Sequence, residues 1–156
     1  MKLAKARHRI MSSLLDFGVV VAIFAALTIG KLPFIVSMLT TSQHLVTTKF
    51  IIDIFRHGVI FTIIILIYYI VMPLFFNGQT IGKKVFKLKI LKENEEHLDY
   101  KTMFYREAIG RIFINYASLG VTAIVSLIIM ILREDKKDLA DIIAKTKVID
   151  LYESEE

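Results

Sequence analysis

The first hydrophobic run of the chain carries one carboxylate, and this combination restricts the fold more than any other feature. From Ile10 to Gly30 the run reads IMSSLLDFGVVVAIFAALTIG, with Asp16 near its start. As a helix it is about 30 Å long, which matches the hydrocarbon thickness of a bilayer. An ionisable side chain inside a membrane helix is costly and indicates a functional position. Because Asp16 interrupts the apolar core that a cleaved signal peptide needs, we expect the run to be retained as a transmembrane helix.

A second apolar run, Val59–Phe76, is also long enough to span a bilayer. Tyr68 and Tyr69 interrupt it, and adjacent tyrosines in a membrane helix more often serve packing or anchor the helix at the membrane interface than carry chemistry. The mixed segment between the two runs, 31–57, is predicted to form an extracytoplasmic loop, either irregular throughout or with a short interfacial helix. Within it, Asp53 and Arg56 are spaced to pair across one helical turn.

The third hydrophobic region, 103–132, has two interpretations. It forms either one further span over 112–132 or two short helices, Met103–Ala117 and Gly120–Leu132, folded back at Ser118-Leu119-Gly120. Each short helix would be about 20 Å long, which is too short to cross a bilayer. Basic residues precede and follow the region, so both of its ends prefer the cytoplasm, which favours the re-entrant hairpin.

The charge distribution predicts the topology. The net charge is +5, and the basic residues collect before the first run, between Lys83 and Arg111, and after Leu132. This is the positive-inside pattern, and it places both termini in the cytoplasm. Contact with lipid accounts for the charge, so a nucleic-acid partner is not expected.

A small cytoplasmic β element is predicted between the hydrophobic regions and in the tail, 133–156. Residues 85–91 alternate apolar and basic side chains, as a half-buried strand does. A second strand is predicted over 147–152, and we expect the two to pair. The polar turn before the first strand lacks the spacing of a Walker loop, so a nucleotide site is not indicated. The length of 156 residues indicates a single domain over 1–156.

Residue types that support common chemistries are missing. The sequence contains no cysteine, and its four histidines lack the spacing of a zinc site. No constellation of nucleophile, base and orienting group is recognisable. We therefore predict a protein that is not an enzyme and has no cofactor and no metal.

The order of the charged motifs resembles the RDD family of small bacterial membrane proteins. RHRIMSSLLD supplies Arg9 and Asp16, YREAIGRIF supplies Arg106, and DLADIIAKTKVI supplies Asp141 with Ala144, Thr146 and Val148. The segment GQTIGKKVFKLKIL is similar to the turn and strand of that family. Its matching positions are Gly78, Gln79, Thr80, Gly82 and Lys83.

Three positions depart from the family pattern. Ile81 replaces the usual proline, Ala140 the usual histidine and Lys145 the usual glycine, while Lys136 best matches an arginine ahead of Asp141. The missing histidine disfavours a proton carrier in the tail. The resemblance implies a multi-pass protein of the bacterial cytoplasmic (inner) membrane, with transport proposed for some members.

The charged positions permit two roles for Asp16. It lies on roughly the same helix face as Arg9 but about 10 Å away along the axis, and Arg106, Lys83 and Arg111 are its candidate partners. Paired charges would clamp the first helix to the cytoplasmic elements, whereas a titrating Asp16 would form a cation or proton site. Gly78 and Gly82 are expected to permit positive φ in the turn, or to expose backbone N–H groups to an anion.

Two functions follow from these roles. The first is a non-enzymatic accessory, scaffold or regulatory protein that contacts the lipid bilayer and binds another membrane protein or a second copy of itself. The alternative is a secondary cation/proton transporter that uses Asp16. So few helices would almost require an oligomer for alternating access.

Overall fold

The structure, a computed structural model, describes residues 2–29 and 48–151. The predicted loop is therefore described only in its last part, and residues 152–156 of the tail lie outside the described residues. In chain order the elements are β1 (Lys2–Leu3), α1 (Ala6–Thr28), α2 (Thr48–Phe75), α3 (Ile81–Val85), β2 (Leu88–Lys92), α4 (Tyr100–Phe104), a π-helical segment (Tyr105–Phe113), α5 (Ile114–Ala117), α6 (Val121–Leu132), α7 (Leu139–Ala144) and β3 (Thr146–Asp150).

The two long helices, α1 and α2, correspond to the two predicted spans. Both are long and apolar enough to cross a membrane. Residues 48–57 are neither an irregular loop nor a separate short helix, because they belong to the long helix α2, which begins at Thr48. The physical reason is a run of apolar residues in this first part of α2 together with a local ion pair. Arg56 Nη2 lies 2.6 Å from Asp53 Oδ1, as the spacing predicted.

The β element is a three-stranded antiparallel sheet in the order β1-β3-β2. Leu88 faces Asp150 and Lys92 faces Thr146, which confirms the predicted pairing of the two longer strands. The predicted start of the first strand at residue 85 is wrong, and the strand begins at Leu88. Val85 ends α3, and Lys87 adopts a positive φ of 50° that interrupts an extended chain. Strand β1 was not predicted, and it places the start of the described chain beside the tail strand.

The third hydrophobic region forms a helical hairpin. Helices α4, the π segment and α5 follow one another without a break, and a turn at residues 118–120 leads into α6. Gly120 adopts a φ of 87°, which is a left-handed conformation that a continuous helix excludes. Two helices over this region are therefore confirmed, and one helix over 112–132 is wrong. The re-entrant placement in a membrane stays a prediction.

The hydrophobic core lies where the sheet meets α2. Ile70 of α2 packs with Leu88, Ile90, Met103 and Val148, all of them buried. A second cluster joins α1 to α2 through Val20, Tyr68 and Tyr69. The two tyrosines therefore pack between the long helices, which is one of the two roles predicted for them.

Candidate functional site

Asp16 lies at the junction of three helices and is fully buried. Its Oδ1 accepts hydrogen bonds from the Tyr68 hydroxyl (2.6 Å) and the Gly82 N–H (2.7 Å). Its Oδ2 accepts one from the Thr80 hydroxyl (2.6 Å). Both carboxylate oxygens are thus satisfied by donors from α2 and from the start of α3. The prediction that Asp16 is buried and compensated is confirmed.

Lys83 is the cation that pairs with this carboxylate in the described part of the chain. Its Nζ lies 3.8 Å from Asp16 Oδ2 and 3.5 Å from Thr80 Oγ1, so neither contact is a short one. Burial and the charge of Arg106 together lower the pKa of Lys83 to about 8, although the charge of Asp16 opposes the shift. The ammonium is therefore only partly compensated in the folded state.

The polar turn before α3 is shaped to reach Asp16. Gly78 has a φ of 88°, and a Cβ there would lie 2.3 Å from the Ile90 carbonyl oxygen. Gln79 Nε2 donates to the Leu88 carbonyl at 2.9 Å, which ties the turn to β2. Thr80 caps α3, because its hydroxyl oxygen accepts from the Lys83 N–H.

Gly82 brings the backbone of α3 against α1. A Cβ at this position would lie 2.2 Å from the Ser12 carbonyl oxygen and 2.8 Å from Asp16 Cγ. The predicted positive φ is present at Gly78 and not at Gly82, where the close approach itself requires glycine. The Gly82 N–H does bind an anion, but that anion is the Asp16 carboxylate of the chain itself.

Asp141 forms a second buried carboxylate centre. Arg9 Nη2 donates to its Oδ2, Arg106 Nη2 lies 2.8 Å from its Oδ1, and the Thr146 hydroxyl donates to Oδ1 at 3.0 Å. Burial would raise the pKa of Asp141, but the charges of Arg106 and Arg9 outweigh it and hold that pKa well below its ordinary value. Asp141 therefore joins α7 to α1, the π segment and β3.

The start of α7 presents Asp141 and a second acid to Arg9. Asp138 caps this helix by accepting from the Asp141 N–H at 2.7 Å, and Asp141 Oδ2 accepts in return from the Asp138 N–H. Arg9 Nη2 lies 3.2 Å from Asp138 Oδ2, and its Nη1 donates to the Lys136 carbonyl. Lys136, which matches an arginine of the family pattern, thus contributes its backbone carbonyl as an acceptor.

Glu107 is a buried acid that the motif comparison missed. It is 1% exposed, and Arg111 Nη1 donates to its Oε2 at 2.7 Å. Arg106 Nη1 lies 3.8 Å from its other oxygen. The available signal was the spacing of Glu107 and Arg111 by four residues, which lets the two side chains pair along one helix. The π segment turns Arg106 and Glu107 inward together.

The structure separates the predicted partners of Asp16 into two centres. Lys83 lies beside Asp16, as one alternative proposed. Arg106 and Arg111 were wrong as partners, because they contact Asp141 and Glu107 instead. Arg9 turns away from Asp16 toward α7. The approach of α7 to the π segment explains this, since it brings Asp141 within reach of Arg9 and Arg106.

A cavity of about 690 Å³ lies beside the two centres. Its charged lining consists of Arg9, Lys83, Arg106, Arg111 and Asp138. The remaining lining is largely apolar and comes from α1, α2 and the hairpin. Asp16 and Asp141 do not line it. Within residues 2–29 and 48–151, no group of three or more acids or histidines is arranged to hold a metal ion.

Comparison with known proteins identifies the relatives of the chain. It is 34% identical over 87 residues to the uncharacterized protein YckC of Bacillus subtilis strain 168. The matching part covers 56% of this chain and 57% of that protein. No solved structure matches. The RDD family profile matches residues 3–145, which include both carboxylate centres and the turn that holds Asp16. The chain therefore belongs to the RDD family of membrane-associated proteins.

Proposed function

We propose that this protein is a non-enzymatic accessory or scaffold protein of the bacterial cytoplasmic membrane, which binds another membrane protein or a second copy of itself. The observation that carries the proposal is the internal use of its buried charges. Asp16 and Asp141 are saturated by donors of the same chain and together join α1 to most of the other elements. A carboxylate held in this way stabilises an assembly and leaves no free base for chemistry.

The apolar faces of the long helices support a role in binding lipid and protein. Leu27 of α1 is 68% exposed and Phe75 of α2 is 80% exposed, and most of each apolar helix lies outside the core. Large contiguous apolar surfaces mark contact with a membrane or with a partner. Because the chain fixes its own polar groups, these outer faces are what it offers to other molecules.

The topology is proposed from the sheet and the charges together. Strand β1 pairs with β3, so the start of the described chain and its tail lie on one side of the two long helices. Basic residues are concentrated in the same part of the chain, and the positive-inside rule assigns that part to the cytoplasm. A reporter that works only in the cytoplasm should be active when fused at Glu156. A reporter that works only in the periplasm should be inactive at the same position, and activity of the second reporter would contradict this topology.

Partner binding is tested by site-specific photocrosslinking in cells. A photoreactive residue at Leu27 should give a discrete adduct in membranes, and co-expression of two differently tagged copies tells a second copy from another protein. The control is Lys101, an exposed residue of the short helix α4, which should give no such adduct. Absence of adducts at Leu27 and also at the exposed Phe55 and Phe75 would contradict a scaffold role.

The transport alternative is less well supported by the geometry. A titrating group must exchange with water during transport, but Asp16 is fully buried and does not line the cavity. Opening its environment requires breaking three hydrogen bonds to a carboxylate, each worth about 1.5–3 kcal/mol. Cation flux driven by a pH gradient in reconstituted vesicles tests this alternative directly.

A further inference from the structure

The cavity beside the two carboxylate centres has a polar end and an apolar side. Four cations and one acid line the polar end: Arg9, Lys83, Arg106, Arg111 and Asp138. The cavity volume of about 690 Å³ is in the range of ligand-binding pockets. The proposed scaffold role depends on the contacts of Asp16 and Asp141, which lie behind the lining of the cavity. The cavity itself therefore has no assigned occupant.

One of the lining cations, Arg106, has donors without partners, and a second, Lys83, is held only by long contacts. Arg106 is 1% exposed, yet its Nε and Nη1 have no hydrogen-bond partner within the described part of the chain. Lys83 is 5% exposed and has only the long contacts to Thr80 and Asp16. Buried donors without acceptors are rare in folded proteins because each costs about 1–3 kcal/mol. An acceptor that enters the cavity would remove this cost.

The charge balance limits what that acceptor can be. The acids that pair with the four cations are Asp16, Glu107, Asp138 and Asp141, which makes the cluster neutral as a whole. Three of them lie behind the lining, so the cationic side faces the cavity. Because the cluster is already neutral, each negative charge on the ligand adds net charge in a buried place, and a multivalent anion adds the most. A phosphodiester carries one delocalised charge and several acceptor oxygens, and therefore fits better.

The apolar side of the cavity opens between α1 and the hairpin. Leu14 and Phe17 of α1 line it and are 61% and 54% exposed, and Leu119 at the hairpin turn lines it and is 95% exposed. A free phosphate would meet no partner along these residues. A hydrocarbon chain attached to the phosphate would bury apolar surface there, at about 25 cal/mol per Å².

We propose that this cavity binds an anionic phospholipid. The phosphodiester accepts hydrogen bonds from Arg106 and Lys83, and an acyl chain leaves between Phe17 and Leu119. Basic pockets between membrane helices on the cytoplasmic side bind lipid headgroups in this way. The site is separate from the Asp16 clamp, because Asp16 does not line the cavity.

The test is lipid binding by the full chain, purified in a neutral maltoside detergent and measured by native mass spectrometry. Palmitoyl-oleoyl phosphatidylglycerol is the probe, and palmitoyl-oleoyl phosphatidylcholine and inorganic phosphate are the comparisons. We expect phosphatidylglycerol to bind at least about fivefold more tightly than either, the effect of roughly one basic contact. Equal binding of both lipids, or phosphate binding as tight as phosphatidylglycerol, would overturn the proposal.

Two variants, each with a matched control, locate the site, and the first of them is independent of the charge network. Ala123→Trp fills the apolar side of the cavity without touching a charged group and should weaken phosphatidylglycerol binding, whereas Ala25→Trp, on an exposed part of α1 away from the cavity, should not. Lys83→Gln should lower affinity about fivefold, and its exposed neighbour Lys84→Gln should leave it unchanged. Phosphatidylglycerol binding that is unchanged in Ala123→Trp would refute the assignment, whatever the Lys83 variant does.

Discussion

Replacing Thr80 by valine should destabilise the fold because its buried hydroxyl joins the Asp16 carboxylate to the backbone of α3. The Thr80 hydroxyl donates to Asp16 Oδ2 at 2.6 Å, and its oxygen accepts from the Lys83 N–H at the start of α3. Valine has nearly the same shape but neither function. Loss of a hydrogen bond to a charged group costs about 1.5–3 kcal/mol, and loss of a helix cap about 1 kcal/mol. We expect Thr80→Val to lower the free energy of unfolding by the sum of these two terms, about 2.5–4 kcal/mol.

Thr80→Ser is the matched control for this change. Serine keeps the donor and the cap and loses one buried methyl group, which is worth about 0.8 kcal/mol. The free energy of unfolding is measured by titrating the purified protein from maltoside micelles into dodecyl sulfate. Far-ultraviolet circular dichroism is the signal, since the chain contains no tryptophan.

A double-mutant cycle separates the two contacts of Thr80. In an Asp16→Asn background the acceptor is neutral, so Thr80→Val should cost about 1 kcal/mol less than in the wild type. If valine costs no more than serine, or if its cost is the same in both backgrounds, the hydroxyl does not hold the Asp16 carboxylate and the reasoning is refuted.

Two further predictions concern α3. Gly82→Ala should prevent α3 from packing against α1, because the added Cβ would lie 2.2 Å from the Ser12 carbonyl oxygen. The measurement is the elution profile in size exclusion. The control Gly18→Ala, whose Cβ would have no atom within 4 Å, should elute as the wild type does, and Gly82→Ala should not. Between pH 8 and 10.5 the unfolded Lys83 keeps a proton that the folded residue has lost, so stability should rise with pH. The rise is roughly 3 kcal/mol. Lys83→Met should abolish it and Lys84→Met should retain it, both measured without anionic lipid. Equal pH profiles for these two variants would show that burial does not shift Lys83.

The local pattern of the sequence predicted the sheet and the burial of Asp16. Alternation marked Leu88 and Ile90 as the inward residues of a strand, and both are buried. The same alternation extended the strand back to Val85, because it carries no information about the cap at Thr80. That cap starts a helix that must bring Gly82 to Asp16, so a tertiary contact decides the local structure.

Ion-pair partners could not be read from spacing. Arg9 is seven positions from Asp16 along the chain, yet it pairs with Asp141, which lies at the far end of the sequence. Which acid Arg9 pairs with depends on how closely α7 approaches the π segment. The two elements pack so closely that a Cβ on Gly110 would lie 3.0 Å from the Ala140 Cα. The π geometry itself has no clear sequence signature, and it turns Arg106 inward. The family motif indicated the charged positions but not their pairing.

The central claim, that Asp16 holds the helices together and does not titrate for transport, is tested most directly by Asp16→Asn. Folded yield after detergent extraction and cation flux driven by a pH gradient are measured on the same preparations, with Asp53→Asn as the control in α2. We predict that Asp16→Asn lowers the folded fraction by a factor of about five or more and that wild-type vesicles show no flux above empty ones. Full folding of Asp16→Asn, together with a wild-type flux that this variant abolishes, would contradict the claim.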